Sequence, residues 1–201
     1  MRQELRQAVM FSAITMLIFG GFYHVGMWGL ANLAMPSRAE GSLVRGADGV
    51  VIGSRLLAQG FNGAGYLHPR PSAVDYNAAS TGGSNLGPSN SAHHEDVASR
   101  VLAFKALNGT EIAPPAEMVT TSGGGLDPHV PPVAAFAQAG RIAASRAVPV
   151  DRVNEVIGRH VEPPTFGVFG RSRVNVLDVN LELDAAFGLP LSTVAPAATA
   201  R

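Results

Sequence analysis

The chain has 201 residues, no net formal charge and only 15% charged side chains. It therefore lacks the basic patch that nucleic-acid binding demands and falls below the usual quarter of charged residues in a soluble domain. The absence of cysteine excludes a disulfide framework, a CxxC redox pair and thiolate metal sites.

No Asp, Glu, Lys or Arg occurs between Gln7 and Ser37. About 20 apolar residues span a bilayer, so residues 8–35 are expected to form a transmembrane helix after a short cytoplasmic arm at 1–7. The run exceeds the ~7–15 apolar residues of a signal-peptide core. An uncleaved anchor is thus favoured over a cleaved signal, although Gly29 and Ala31 have the small-residue spacing of a cleavage site. Phe22, Tyr23 and Trp28 lie toward the far end, where amphipathic rings prefer the interface. His24 is the one titratable group of the span, read as interfacial or helix-facing, with a functional intramembrane role as the other reading. Gly20-Gly21 would allow another helix to approach closely. Long domains translocate largely regardless of flanking charge, so the expected orientation is N-terminus inside and the large domain outside. The expected fold class is α+β: a single N-terminal transmembrane helix followed by one mixed α+β extracytoplasmic domain at 36–189. Residues 190–201, rich in Ala, Pro and Thr, are expected to be a flexible tail.

Within that domain, Asp48-Gly49 between the pairs Leu43-Val44 and Val50-Val51 predicts a β-hairpin. Residues 60–90 are rich in Gly, Ser, Asn and Pro without helical period, and form a long loop. Loops of that length are functional or disordered, and the aromatics Phe61, Tyr66 and Tyr76 argue for order. Val97, Val101 and Phe104 predict one helix face, with Ser91 as its cap and Asn108-Gly109 as its stop. Pro115–Thr121 is a short strand candidate. A helix is expected after Pro131-Pro132, with Val133, Phe136, Ala137 and Gly140 on one face. Val150, Val153, Val156, Ile157 and Val161 mark the face of the next. Residues 173–184 alternate with a register change near Leu177, as in a strand with a bulge or a strand that turns helical.

"TTSGGGLDPHVPP" (Thr120–Pro132) raises the question of chemistry. Neither it nor "TGGSNLGPSN" (Thr81–Asn90) has P-loop or dinucleotide spacing, and Lys105, the single lysine, is near neither. Their glycines are read as positions of positive φ or close backbone approach. His93-His94-Glu95-Asp96 is dense in metal-ligand types, but adjacent helical positions do not share a face. Asp127 is expected to cap the turn across Pro128 rather than to ligate an ion. Asn77, Ser80, Ser84, Asn85, Ser89 and Asn90 offer hydrogen-bonding groups suited to turns or to an interface rim. Asn108-Gly109-Thr110 matches a glycosylation sequon at a helix end.

Three stretches carry a resemblance: Tyr66–Asn90, Pro115–Arg146 and Gly170–Asp184. Their elements R-P-S-A, T-G-G-S-N-L-G-P-S-N, S-G-G-G-L-D-P-H and R-V-N-V-L, together with one N-terminal membrane helix, closely resemble the C subunit of the Kdp potassium-transporting P-type ATPase. Thr81 and the extra glycine Gly124 depart from the family pattern. The resemblance implies a non-catalytic subunit at the cell inner membrane, single-pass, with a cytoplasmic N-terminus and a periplasmic main domain. Its implied partners are a channel-like potassium-translocating A subunit, an ATP-hydrolysing B subunit and a small F subunit, besides the lipid bilayer. It implies no cofactor bound directly; ATP acts through the B subunit, whose ATP affinity the family is described as raising. An outward domain cannot touch cytoplasmic ATP, so that effect would need differential affinity for two states of the complex. The expected partner interface and loop scaffold comprises Arg70, Pro71, Ser72, Tyr76, Asn77, Gly83, Ser84, Asn85, Gly87, Asn90, Gly125, Asp127 and His129. Two other readings stay open: a membrane-anchored periplasmic metal-dependent hydrolase using Asp127, His129 and His93-His94, and a stand-alone periplasmic binding module.

Overall fold

A computed structural model of the protein describes residues 1–46 and 48–190, so the expected tail lies, but for Pro190, outside the described residues. The chain divides into two compact units, Met1–Ile52 and Gly53–Arg201.

In the first unit a helix of 33 residues runs from Arg2 to Ala34. It comprises α1 (Arg2–Thr15), a π-helical stretch (Met16–Phe22) and α2 (Tyr23–Ala34). At ~1.5 Å per residue it is long enough for a hydrocarbon core of ~30 Å, and it takes in most of the segment expected as an arm. None of its residues is buried. His24 Nδ1 donates to the Phe19 carbonyl at 2.6 Å, so the ring turns back onto its own helix and satisfies a carbonyl within the π-helical stretch. Pro36 ends the long helix: it biases Met35 out of the helical region, to φ −145°, and opens the short α3 (Pro36–Ala39). β1 (Leu43–Arg45) and β2 (Val51–Ser54) pair as the expected hairpin. The Asp48 carboxylate closes its turn by accepting from Val50 N at 3.1 Å.

The second unit begins within β2. Its first long helix, α4 (Ser91–Asn108), is capped by Asn90, whose side chain accepts from Ala92 N at 2.9 Å. Ser91 is not the cap, because a cap residue needs extended backbone and only Asn90, at ψ 127°, supplies it. The strand expected at Pro115–Thr121 is instead a helical turn, α5 (Ala116–Val119). The Thr120 hydroxyl donates to the Ala116 carbonyl at 2.8 Å, and the turn buries Met118 and Val119. No pairing edge meets this segment, so the local bonds win.

There follow β3 (His129–Val130), α6 (Pro132–Phe136), α7 (Ala139–Arg146), α8 (Val150–Arg159), β4 (Val161–Glu162), β5 (Arg173–Asn175) and α9 (Val176–Phe187). The single helix expected after Pro131-Pro132 is thus two, broken at Ala137-Gln138. The expected face is not the core face: Val133 and Phe136 are exposed, and Ala134, Ala135, Ala139 and Ile142 are buried. Gln138 explains the offset, since its buried side chain bonds the Ala134 carbonyl and the His68 backbone. On α8, Val153, Val156 and Ile157 are buried as their spacing predicts, while Val161 falls in β4. Residues 173–184 are the strand that turns helical. Asn175 ends β5 and caps α9 by accepting from Leu177 N and Asp178 N at 3.1 and 3.3 Å.

The small sheet is antiparallel in the order β3–β5–β4, with His129 opposite Asn175, and Val130 and Val161 flanking Val174. Strands this short do not hold themselves. The core is mainly helical: Ile142, Val153, Val156, Ile157, Val179 and Leu183 are fully buried around Val130 and Val174. Each such side chain contributes about 1.5–3 kcal/mol by leaving water.

Candidate functional site

The long loop at 60–90 has no ladder of its own, so its backbone must find partners elsewhere. Helix side chains supply them. The Asn180 amide accepts from Leu67 N at 2.7 Å and donates to Leu67 O at 2.9 Å. Gln138 does the same for His68, at 2.9 and 3.2 Å. Arg146 donates to Gly65 O at 2.7 Å and pairs with Asp184 at 2.7 Å; Arg141 donates to Ala64 O. These anchors hold the chain as a neighbouring strand would. Burial and the nearby Arg141 cation push His68 down to about 4, against a hydrogen bond to the Gly63 carbonyl, so its ring is neutral at pH 7.

With that stem fixed, the two glycine-rich stretches clasp each other. Gly82 N donates to Gly124 O at 3.1 Å, and Ser122 N to Pro71 O at 3.1 Å. A Cβ on Gly83 would lie 3.0 Å from Gly123 O, so backbone meets backbone there. Gly125 has φ +71°, and a Cβ on it would lie 2.6 Å from Val74 Cγ2 and 3.0 Å from Gly82 O; only glycine fits. The N–H groups of Gly82 and Gly125 are bonded within the clasp, which leaves them unavailable to cradle a phosphate. Thr81 and Gly124 face each other: a Cβ at Gly124 would meet Thr81 Oγ1 at 3.2 Å.

Arg70 and Asp127 stand where the clasp opens. Arg70 Nη1 donates to Asp127 Oδ2 at 3.4 Å, and Nη2 to Thr121 O at 3.2 Å. Asp127 Oδ1 accepts from His129 N at 3.0 Å, with His129 Nδ1 3.7 Å away. Partial burial raises the Asp127 carboxyl, but the His129 ring and backbone N–H together with Arg70 outweigh it and hold the group below its usual range. Ser72 Oγ accepts from Val74 N and Tyr76 N at 3.1 and 3.0 Å, and Tyr76 OH donates to Arg70 O at 2.9 Å. Those bonds hold Tyr76 at φ +56°, a conformation that bulky residues avoid. A cleft of about 250 Å³ opens beside these groups, lined by Arg70, Glu117, Asp127, His129, Arg171 and Arg173 among others.

Of the residues singled out from sequence, Arg70, Pro71, Ser72, Tyr76, Gly83, Gly125, Asp127 and His129 meet in the clasp and its cleft. The others do not. Asn77 closes a local turn by accepting from Ala79 N at 3.0 Å, Asn85 sits at φ +53°, and Asn90 caps α4. Ser84 and Gly87 lie along the same loop. His93 and His94 lie on α4 with ring centroids 6.1 Å apart, and among the described residues no three His, Asp or Glu side chains gather as a metal site. Sequence reasoning missed Asn180, Gln138, Arg141 and Arg146, whose signal is a polar residue on an otherwise apolar helix face. It also missed Glu117, Arg171 and Arg173, which no local pattern connects to Asp127.

The chain combines one helix of membrane-spanning length with a small unit of mixed helices and a short antiparallel sheet, the class of a single-helix α+β chain. The family model that matches the sequence over residues 5–185 is KdpC, the K+-transporting ATPase c chain. The potassium-transporting ATPase KdpC subunit of Cereibacter sphaeroides strain KD131 is 50% identical over 186 residues, covering 92% of this chain and 99% of that protein. The corresponding subunit of Myxococcus xanthus is 47% identical, covering 91% of this chain and 88% of its own, and that of Gloeobacter violaceus 42%, covering 90% and 96%. The chain belongs to the K+-transporting ATPase c-chain family.

Proposed function

We propose that this chain is a non-catalytic accessory subunit of an ATP-driven potassium uptake complex, docking on its partner chains through the Arg70–Asp127–His129 surface. The observation that carries the reading is the relationship to KdpC subunits along nearly the whole chain. The geometry adds support: the clasp satisfies its own backbone and turns charged side chains onto an open cleft, which suits a preformed docking surface. In this reading the helix crosses the inner membrane with its N-terminus in the cytoplasm, and the second unit faces the periplasm. The partners are the channel-like A subunit, the ATP-hydrolysing B subunit and the small F subunit. The chain raises the ATP affinity of the B subunit without touching ATP, by binding one state of the complex better than another; a coupling of about 1–3 kcal/mol suffices for a 5–150-fold effect.

Asp127→Ala and His129→Ala test the docking role. Asp127→Ala removes a turn cap worth about 0.5–2 kcal/mol, which a domain of typical stability survives. Retention of the complex through purification should fall, while ATPase turnover per intact complex stays at the wild-type value. Normal assembly with turnover near zero would place chemistry at this site instead. Normal assembly with normal turnover would remove the docking role.

A further inference from the structure

Residues 163–172 join β4 to β5, and their tip is apolar. Phe166, Val168 and Phe169 are 90%, 77% and 69% exposed, and residues 163–170 carry no charge. The tip is nonetheless shaped by its own bonds. Thr165 and Phe169 exchange backbone hydrogen bonds at 2.9 and 3.0 Å, and Gly167 N donates to Pro164 O at 2.8 Å. The Glu162–Arg173 ion pair, at 2.8 Å, closes the base. Phe166 sits at φ +54°, a strained conformation for a bulky side chain that persists only where the surroundings over-determine it. Water gives no return for a strained, exposed phenylalanine; a partner that takes the ring does.

We propose that this hairpin is an anchor that inserts into an apolar pocket on another chain of the ATPase, with Arg171 meeting a carboxylate on the pocket's rim. The proposal rests on the docking role of the neighbouring cleft, with which the hairpin is continuous: Arg171 and Arg173 at its base line the same cleft as Arg70, Asp127 and His129. Arg171 is exposed and has no ion-pair partner among the described residues, so it is the cation left to recognise a carboxylate. A protein pocket fits better than a bilayer surface for two reasons. The tip is pre-organised, which lowers the entropy cost of fitting a shaped pocket, whereas lipid needs no fixed shape. The base also carries both signs, with Glu162, Glu117 and Asp127 beside the arginines, and those carboxylates would repel anionic headgroups. Central aromatic anchors are what carry protein interfaces.

Two measurements on the full complex in native membranes test this. The double variant Phe166→Ser, Phe169→Ser removes exposed side chains outside the core, so the melting temperature of the chain should stay unchanged while retention of partner chains falls at least about tenfold. A photoreactive benzoylphenylalanine in place of Val168 should give an adduct that mass spectrometry identifies as a chain of the ATPase. An adduct with lipid alone, or no adduct, overturns the proposal, as does unchanged retention of the double variant. If Asp127→Ala weakens retention and the double variant does not, the hairpin anchor fails and the docking cleft stands. If only the double variant weakens it, the docking role of the cleft fails, and with it the shared surface on which the proposal rests. If neither does, both fail.

Discussion

Three consecutive glycines, Gly123, Gly124 and Gly125, should respond to alanine in a graded way. At Gly123 an added Cβ meets nothing within 4 Å and the backbone is not left-handed; the gain from restricting the unfolded chain, about 0.4–1 kcal/mol, leaves Gly123→Ala neutral to slightly stabilising. At Gly124 the Cβ meets Thr81 Oγ1 at 3.2 Å. Thr81 is exposed and its side chain can yield, so Gly124→Ala should stay within about 0.5 kcal/mol. Gly125 differs in kind. Its φ of +71° costs a residue with a Cβ roughly 1–2 kcal/mol. The Cβ would also lie 2.6 Å from Val74 Cγ2 and 3.0 Å from Gly82 O, and Gly82 is itself tied to Gly124, so the overlap adds about 1–3 kcal/mol. Less the unfolded-chain gain, Gly125→Ala should cost about 1–4.5 kcal/mol. For a domain of this size that lowers Tm by about 2–18 °C. Scanning calorimetry of the full chain in detergent reads all three variants. Gly125→Ala within about 0.5 kcal/mol of wild type, or Gly123→Ala as damaging as Gly125→Ala, would refute the clasp as the reason for these glycines.

The His68 ring binds its proton at about 4 in the folded chain against 6.5 unfolded, so the unfolded state takes up the extra proton between those values. Stability is therefore complete above pH 6.5 and falls as pH drops through this window, by on the order of 3 kcal/mol; His68→Gln should shrink that loss, and an identical fall in both proteins would show that His68 does not cause it. For orientation, Ser99→Cys on exposed α4 should react with an impermeant maleimide in intact spheroplasts and Gln3→Cys should not, in a chain without native cysteine; the reverse pattern would put the second unit in the cytoplasm.

Local chemistry wrote several elements plainly into the sequence. The run from Gln7 to Ser37 holds no Asp, Glu, Lys or Arg and is mostly apolar, so a long apolar helix is written into it, and the helix observed runs from Arg2 to Ala34. Asp48-Gly49 closes a hairpin through a two-residue carboxylate bond, and the valine spacing of α8 places Val153, Val156 and Ile157 inward, since both depend on near neighbours. Tertiary structure decided what depends on distant ones. Residues 115–121 read as a short strand candidate but close as a helical turn, α5, held by the Thr120 hydroxyl on the Ala116 carbonyl. The helix after Pro132 breaks and shifts its buried face because Gln138 is needed by the backbone of His68, 70 residues away. The clasp follows the same logic. The sequence marks both glycine stretches and the turn at Asp127, but that Gly83 lies on Gly123, and that Arg70 and Arg171 border one cleft, follows from β3–β5 pairing and from helix amides standing in for a missing strand. Those bonds join segments whose local patterns carry no trace of one another.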